Sequence, residues 1–356
     1  GTLTNEGDNM NKVSRGMKGL VAVVALALVG SACGSETDSS VDGEGSSAPV
    51  VVYSGRSEAL VGELFVAFTN ETGIEVDVRY GDSGEMAALI LTEGSSSPAD
   101  LFFSQDAGAL GAVEEASLFA TLPSETLSLV ESKYSSQTGN WVGTSGRARV
   151  VVYNPSLVDT PPAGIDDLLD PKWSGKIGYA PTNASWQSFV TALRVTRGED
   201  AARAWLKGFA ANKPVAYEKN GVVRDAVNSG EVALGLVNHY YLFEKIVAEG
   251  AAAVVAKNHY FTNGDIGGLV NVAGVGMLQS SKNQKSTLAL INYLLSPAGQ
   301  NYFAQKSYEY PLVAGIAQYA ELPALADLNL PNIDLSDLKS IALTQEMLEE
   351  VGLLTK

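Results

Sequence analysis

The sequence predicts an α/β fold built of two blocks, and three observations carry that reading. From residue 50 onward, short apolar runs alternate with stretches of helical periodicity. A second alternating block starts near Ala148. A glycine-rich apolar run over residues 267–276 then follows, of a kind that can cross back between lobes. With 356 residues, 46% of them hydrophobic, the chain is large enough for two domains.

The elements follow in order. Val50-Val51-Val52-Tyr53 reads as a buried strand. After the turn Ser54-Gly55-Arg56-Ser57, Leu60, Leu64, Phe65 and Phe68 recur at helical spacing until Gly73 stops the helix. Ile74, Val76, Val78 and Tyr80 alternate as a strand, and residues 86–91 suit a helix. Asp100-Leu101-Phe102-Phe103 is a strand, followed by a helix near 107–116. This order implies a parallel sheet with helices on both faces, whose ligand binds at the carboxyl ends of the strands, residues 53–57, 81–83 and 104–106. In the second block, residues 149–153, 176–179, 215–217 and 233–237 are strand candidates, and 186–195 and 200–211 are helices. Asn220 precedes a helical stretch at 222–227 and is placed to cap it.

The N-terminal region has a different character. Lys12, Arg15 and Lys18 precede an apolar run over residues 19–30, which ends in Ser31-Ala32-Cys33. A basic region, an apolar region and small residues before a cleavage point make residues 1–32 a secretory signal, with Met10 or Met17 as its start. The run is shorter than the ~20 residues a membrane span requires. Cys33 after Gly30-Ser31-Ala32 resembles a bacterial lipobox, with glycine where leucine is usual. Its cysteine would carry the lipid that holds the exported chain at the outer face of the cell membrane. Cys33 is the single cysteine, so the fold depends on its core and not on disulfides. Residues 33–49, rich in Ser, Gly, Asp and Glu, read as a flexible tether.

A formal net charge of −16 and a pI near 4.6 argue against nucleic acid as a partner, because phosphate contacts need a basic face. Hydrolysis has little to work with. His239 and His259 lack zinc-type spacing, and neither a Gly-x-Ser-x-Gly elbow nor a P-loop occurs. A hydrolase using Ser145 or Ser57 would have no convincing base. His259 reads as a loop residue, and His239 as a support for its neighbours or a solvated residue. Asn238-His239-Tyr240-Tyr241 stands at the mouth of an apolar-patterned helix at 242–247. Its paired tyrosines are either oxygen donors suited to a hard cation such as Fe3+, or aromatic residues packed in a core or stacked on an organic ligand. Ser145-Gly146-Arg147 offers a hydroxyl, a backbone N–H and a guanidinium to a small oxyanion, or is an ordinary turn with a surface arginine.

Taken in order, several stretches resemble the ferric-ion-binding proteins of bacterial ABC importers, which have the two-lobe type II periplasmic binding-protein fold. They are Ser96-Ser97-Pro98-Ala99-Asp100, Ser145-Gly146-Arg147-Ala148-Arg149-Val150-Val151-Val152-Tyr153, Pro171-Lys172-Trp173-Ser174-Gly175-Lys176-Ile177-Gly178-Tyr179, Ala204-Trp205-Leu206-Lys207-Gly208, Asn238-His239-Tyr240-Tyr241 and Tyr308-Glu309-Tyr310-Pro311-Leu312. The similarity covers roughly residues 50–320. It implies a first lobe of 50–146 plus 270–318 and a second of 147–269, with crossing strands near 146–152 and 269–275. Residues 319–356 would form a C-terminal helical segment packed on the second lobe.

The same resemblance implies that Tyr240 and Tyr241 donate phenolates to Fe3+. A synergistic phosphate or carbonate would be anchored by Ser145, Gly146, Arg147, Asn220 and Asn238. Where members carry a histidine, a glutamate and a further tyrosine, this chain has Ser57, Gln105 and Trp186. Asp106 is then a substitute carboxylate or a helix N-terminal residue, and Arg56 faces the anion or is a surface charge. The implied role is a monomeric, non-enzymatic receptor that hands Fe3+ to a membrane permease and its ATPase. The alternative is the same fold carrying a polyamine, thiamine or phosphonate.

Overall fold

The computed structural model describes residues 48–355. The expected signal, Cys33 and all but the last two tether residues lie outside that range. The chain opens with β1 (Val50–Ser54), α1 (Glu58–Thr72), β2 (Val76–Tyr80), α2 (Ser83–Glu93), β3 (Leu101–Ser104), α3 (Ala107–Glu115) and the short α4 (Ser124–Leu127). The long β4 (Val142–Tyr153) leads to β5 (Ile177–Tyr179), α5 (Ala184–Arg197), α6 (Glu199–Ala211), β6 (Val215–Ala216), α7 (Asn220–Ser229), β7 (Leu234–Asn238), α8 (Tyr240–Glu249) and β8 (Lys257–His259). The chain then returns through β9 (Val270–Met277), α9 (Gln284–Leu294), α10 (Pro297–Lys306) and β10 (Tyr310–Pro311), and ends in α11 (Ile341–Glu350).

Local chemistry explains the boundaries. α1 buries Val61, Leu64, Phe65 and Phe68 on one face, and Gly73 at φ 74° accepts the left-handed turn that ends it. Asp106 caps α3 through Ala109 N–H at 2.8 Å, and Asn183 caps α5 through Ser185 N–H at 2.8 Å. Asn220 is not a cap: α7 begins at Asn220 itself, and Lys219 precedes it.

The strand order is β2-β1-β3-β9-β4-β7-β5-β6, with β8 and β10 also paired to β4. Parallel pairing joins β1 to β2 and β3, and β5 to β6 and β7, as the alternation predicts. The sheet is nevertheless mixed, because β9 runs antiparallel to β3 and β4, and β4 antiparallel to β7. β4 joins the two halves: residues 142–148 pair with β9, and residues 149–153 pair with β7. It starts earlier than the expected boundary because Thr144, Ser145 and Arg147 interrupt the apolar pattern while being fully buried. His259 is not in a loop but pairs with Val151 at the end of β8.

The core is continuous. Phe65, Phe103 and Phe303 pack edge to edge in the first half. Tyr179, Trp186, Phe189, Trp205 and Phe209 form an aromatic cluster in the second, with Trp205 and Phe209 stacked at 5.2 Å. The C-terminal segment touches both halves. Its turn at Leu335–Lys339 packs on α3 and α5, and α11 packs on α5. Arg194 of α5, buried, donates to Ser340 O at 3.0 Å and to Thr344 Oγ1 at 2.8 Å. Among the described residues no helix is long and apolar enough to cross a membrane.

Candidate metal centre

The ends of β1, β2 and β3 converge, as a parallel arrangement requires. Gln105 N–H donates to Ser83 Oγ at 2.9 Å, Gly55 N–H donates to Phe103 O at 2.7 Å, and a Cβ on Gly55 would lie 1.9 Å from Ser83 Oγ. Arg147 reaches this cluster from β4. Its Nη1 donates to Gln105 O at 2.6 Å, and its Nη2 donates to the Tyr240 hydroxyl. One guanidinium therefore spans from the strand ends of the first half to the tyrosine pair of the second.

The pair sits where β7 gives way to α8. The rings of Tyr240 and Tyr241 lie 4.6 Å apart, and their hydroxyl oxygens are separated by 3.4 Å. Burial pushes the Tyr241 phenol well above its ordinary range, and the neighbouring Tyr240 adds to the effect. For Arg147, burial alone favours the neutral form. Attraction to Tyr240, Glu309 and Tyr241 outweighs that and holds the guanidinium above its ordinary value.

Asn220 lies beside Tyr241. It is 2% exposed, and neither its Oδ1 nor its Nδ2 has a hydrogen-bond partner. Asn238 donates from Nδ2 to Ser185 Oγ at 2.9 Å and accepts from Arg149 Nη1 at 3.5 Å. Arg149 is also buried, and no carboxylate of the described residues lies within ion-pair distance of it. Its guanidinium is pushed down to about 10 by burial and by the like charge of Arg147.

The other expected residues each have partners of their own. Ser145 gives its hydroxyl to Glu309 Oε2 at 2.7 Å, and Gly146 pairs with Tyr310 of β10. Arg56 is not a surface charge; it is buried and donates to Glu309 Oε1 at 2.6 Å. Ser57 is exposed at the start of α1. Asp106 is spent on the α3 cap, with its carboxyl pushed up by burial. Trp186 is core. His239 is not solvated: Nδ1 accepts from Ala148 N–H at 3.0 Å, and Nε2 donates to Tyr308 O at 2.6 Å. Burial pushes it down to about 4, so it is neutral. No group of three or more His, Cys, Asp or Glu among the described residues is arranged to hold a metal. Two residues escaped sequence reasoning, Glu309 and Arg149; both lie inside the motifs quoted above, but neither carried a spacing signal.

Residues 96–339 match the bacterial extracellular solute-binding protein family. A "Fe(3+)-binding periplasmic protein" of Serratia marcescens is 36% identical over 308 residues, covering 86% of this chain and 90% of that one. The chain belongs to the extracellular solute-binding family. Among solved structures, iron-bound HitA from Pseudomonas aeruginosa matches this solute-binding protein at TM-score 0.81 and 34% identity, over 86% of this chain and 99% of its own. A Trichodesmium protein solved with iron and citrate ligands matches at TM-score 0.75 and 29% identity, over 86% of this chain and 100% of its own. Their shared two-lobe fold is the α/β architecture described above.

Proposed function

We propose that this solute-binding protein captures Fe3+ through the phenolates of Tyr240 and Tyr241, together with a synergistic phosphate or carbonate, and delivers it to an ABC permease with its ATPase. The observation that carries the reading is the pair of phenol oxygens 3.4 Å apart, on a buried Tyr240 and a half-buried Tyr241, with no cluster of His, Cys, Asp or Glu among the described residues arranged to compete for a metal. An ordinary phenol has a pKa of about 10, and burial raises Tyr241 further, so only a strongly Lewis-acidic ion holds both deprotonated at neutral pH.

The charges call for the anion. Three buried guanidiniums, Arg56, Arg147 and Arg149, outnumber the nearby buried carboxyls of Glu309 and the burial-raised Asp106, and Fe3+ with two phenolates adds further positive charge. A buried excess of one sign is costly unless a counter-ion enters. Asn220, with both amide atoms unpartnered, and Arg147 are its nearest anchors, with Gly146, Asn238 and Ser145 around them. On this reading Ser57 and Gln105 give no strong ligand, and the anion fills those positions. The first lobe would take residues 50–146 plus 270–318 and the second 147–269, closing on the ion as a monomer tethered by a lipid on Cys33. The protein acts as a receptor and not as an enzyme.

Colour tests the proposal. Iron-loaded protein is expected to show a visible phenolate-to-iron charge-transfer band, lost when Tyr240→Phe and Tyr241→Phe are combined. Colourless protein after ferric loading in phosphate or carbonate, with no affinity by titration, would end the iron reading.

A further inference from the structure

We infer that Glu309 is the positioning residue of the tyrosine pair, acting by holding the Arg147 guanidinium against Tyr240. The inference rests on the iron reading above and adds to it a residue that neither touches the phenols nor belongs to the implied site. Glu309 is 0% exposed and surrounded by donors. Its Oε1 accepts from Arg56 Nη2 at 2.6 Å and Ser307 Oγ at 2.7 Å; its Oε2 accepts from Ser145 Oγ at 2.7 Å and lies 4.0 Å from Arg147 Nε. A carboxylate so deep is held only by several partners at once.

Arg56 alone accounts for neither the position of Arg147 nor its direction. Arg147 Nε has no hydrogen-bond partner, yet it faces Glu309, while Nη2 contacts the Tyr240 oxygen and the guanidinium carbon lies 5.3 Å from the Tyr240 ring centre. The neighbours of Glu309 are fastened to the same place. Tyr308, in the left-handed region at φ 58°, presents its carbonyl to His239, the residue before Tyr240. Tyr310 pairs with Gly146, the residue before Arg147. Three consecutive residues thus fix the strand that carries the guanidinium and the turn that carries the phenol. With iron bound, the Glu309 charge offsets a cation next to a trivalent one, and it sets how closely that cation approaches the phenolate whose electrons reach the metal.

The test uses the full iron-loaded chain, reading the wavelength of the charge-transfer band and iron retention against a chelator. In Glu309→Gln the guanidinium drifts from the phenolate, so the band is expected to move to longer wavelength and retention to fall about tenfold, a usual coupling within one network. Arg147→Lys should shift the band in the same direction, and the double variant should shift it no further than Arg147→Lys alone. Glu309→Asp, which keeps the charge and withdraws it, should lie between wild type and Glu309→Gln, and it carries the test if Glu309→Gln does not fold. A lower melting temperature with the band unmoved in either variant makes Glu309 a purely structural residue and overturns the inference, as do additive shifts in the double variant. Wild-type protein without the band sinks the iron reading, and this inference with it, before any Glu309 variant is made.

Discussion

His239 separates what a residue suggests from what it does. Beside two tyrosines it invites a role at the metal, but its two nitrogens join Ala148 N–H and Tyr308 O across the interior. Its folded pKa of about 4 lies below the ~6.5 of an unfolded histidine, so the unfolded chain binds the proton more readily. Its contribution is complete above about pH 6.5, and it declines as pH falls toward 4, by about 3 kcal/mol in all. In the iron-free protein, urea midpoints of wild type and His239→Gln are expected to converge as pH falls from about 7 to about 4. A constant gap would mean that the imidazole is not held neutral.

The crossing elements show why glycine recurs in β9. A Cβ on Gly274 would sit 2.7 Å from Val142 O and 2.9 Å from Leu110 Cδ1, and the first of these is backbone that cannot step aside. Gly274→Ala is expected to cost about 1–3 kcal/mol in denaturant unfolding, the usual range for overpacking. The same elements mark the limit of what the residues reveal by themselves. β1, α1, β3, α5 and α6 announce themselves because their apolar spacing needs no distant partner. The first half of β4 does not. Thr144 Oγ1 is satisfied by Ala273 O at 3.0 Å, and Ser145 by Glu309, residues more than a hundred positions away, so buried polar side chains read as surface ones. Tyr240, Tyr241 and Asn220, the residues proposed above for the metal and its anion, stood out in the sequence because their chemistry is local. Glu309 did not, since a lone acid between tyrosines means little until Arg56, 253 residues earlier, meets it. His259 misled for a related reason, because its strand exists only by pairing with β4.

Across the whole molecule, the position of β9 matters most. It lies between β3 and β4, although the chain makes both of those strands long before it. Until residue 277 is available, β3 and the first half of β4 each keep an open edge, and the sheet stays divided there. A fragment of residues 48–215 is therefore expected to show little protected amide hydrogen in exchange experiments, whereas the full chain protects β1, β3, β4 and β9 together. A fragment that protects β1 and β3 by itself would refute this order of assembly. Pairings so distant along the chain close slowly. A polypeptide emerging from the ribosome is thus kept from its native state until most of it has been synthesised, which leaves it threadable during the interval in which a protein bound for the far side of a membrane must still pass through a narrow channel as an extended strand.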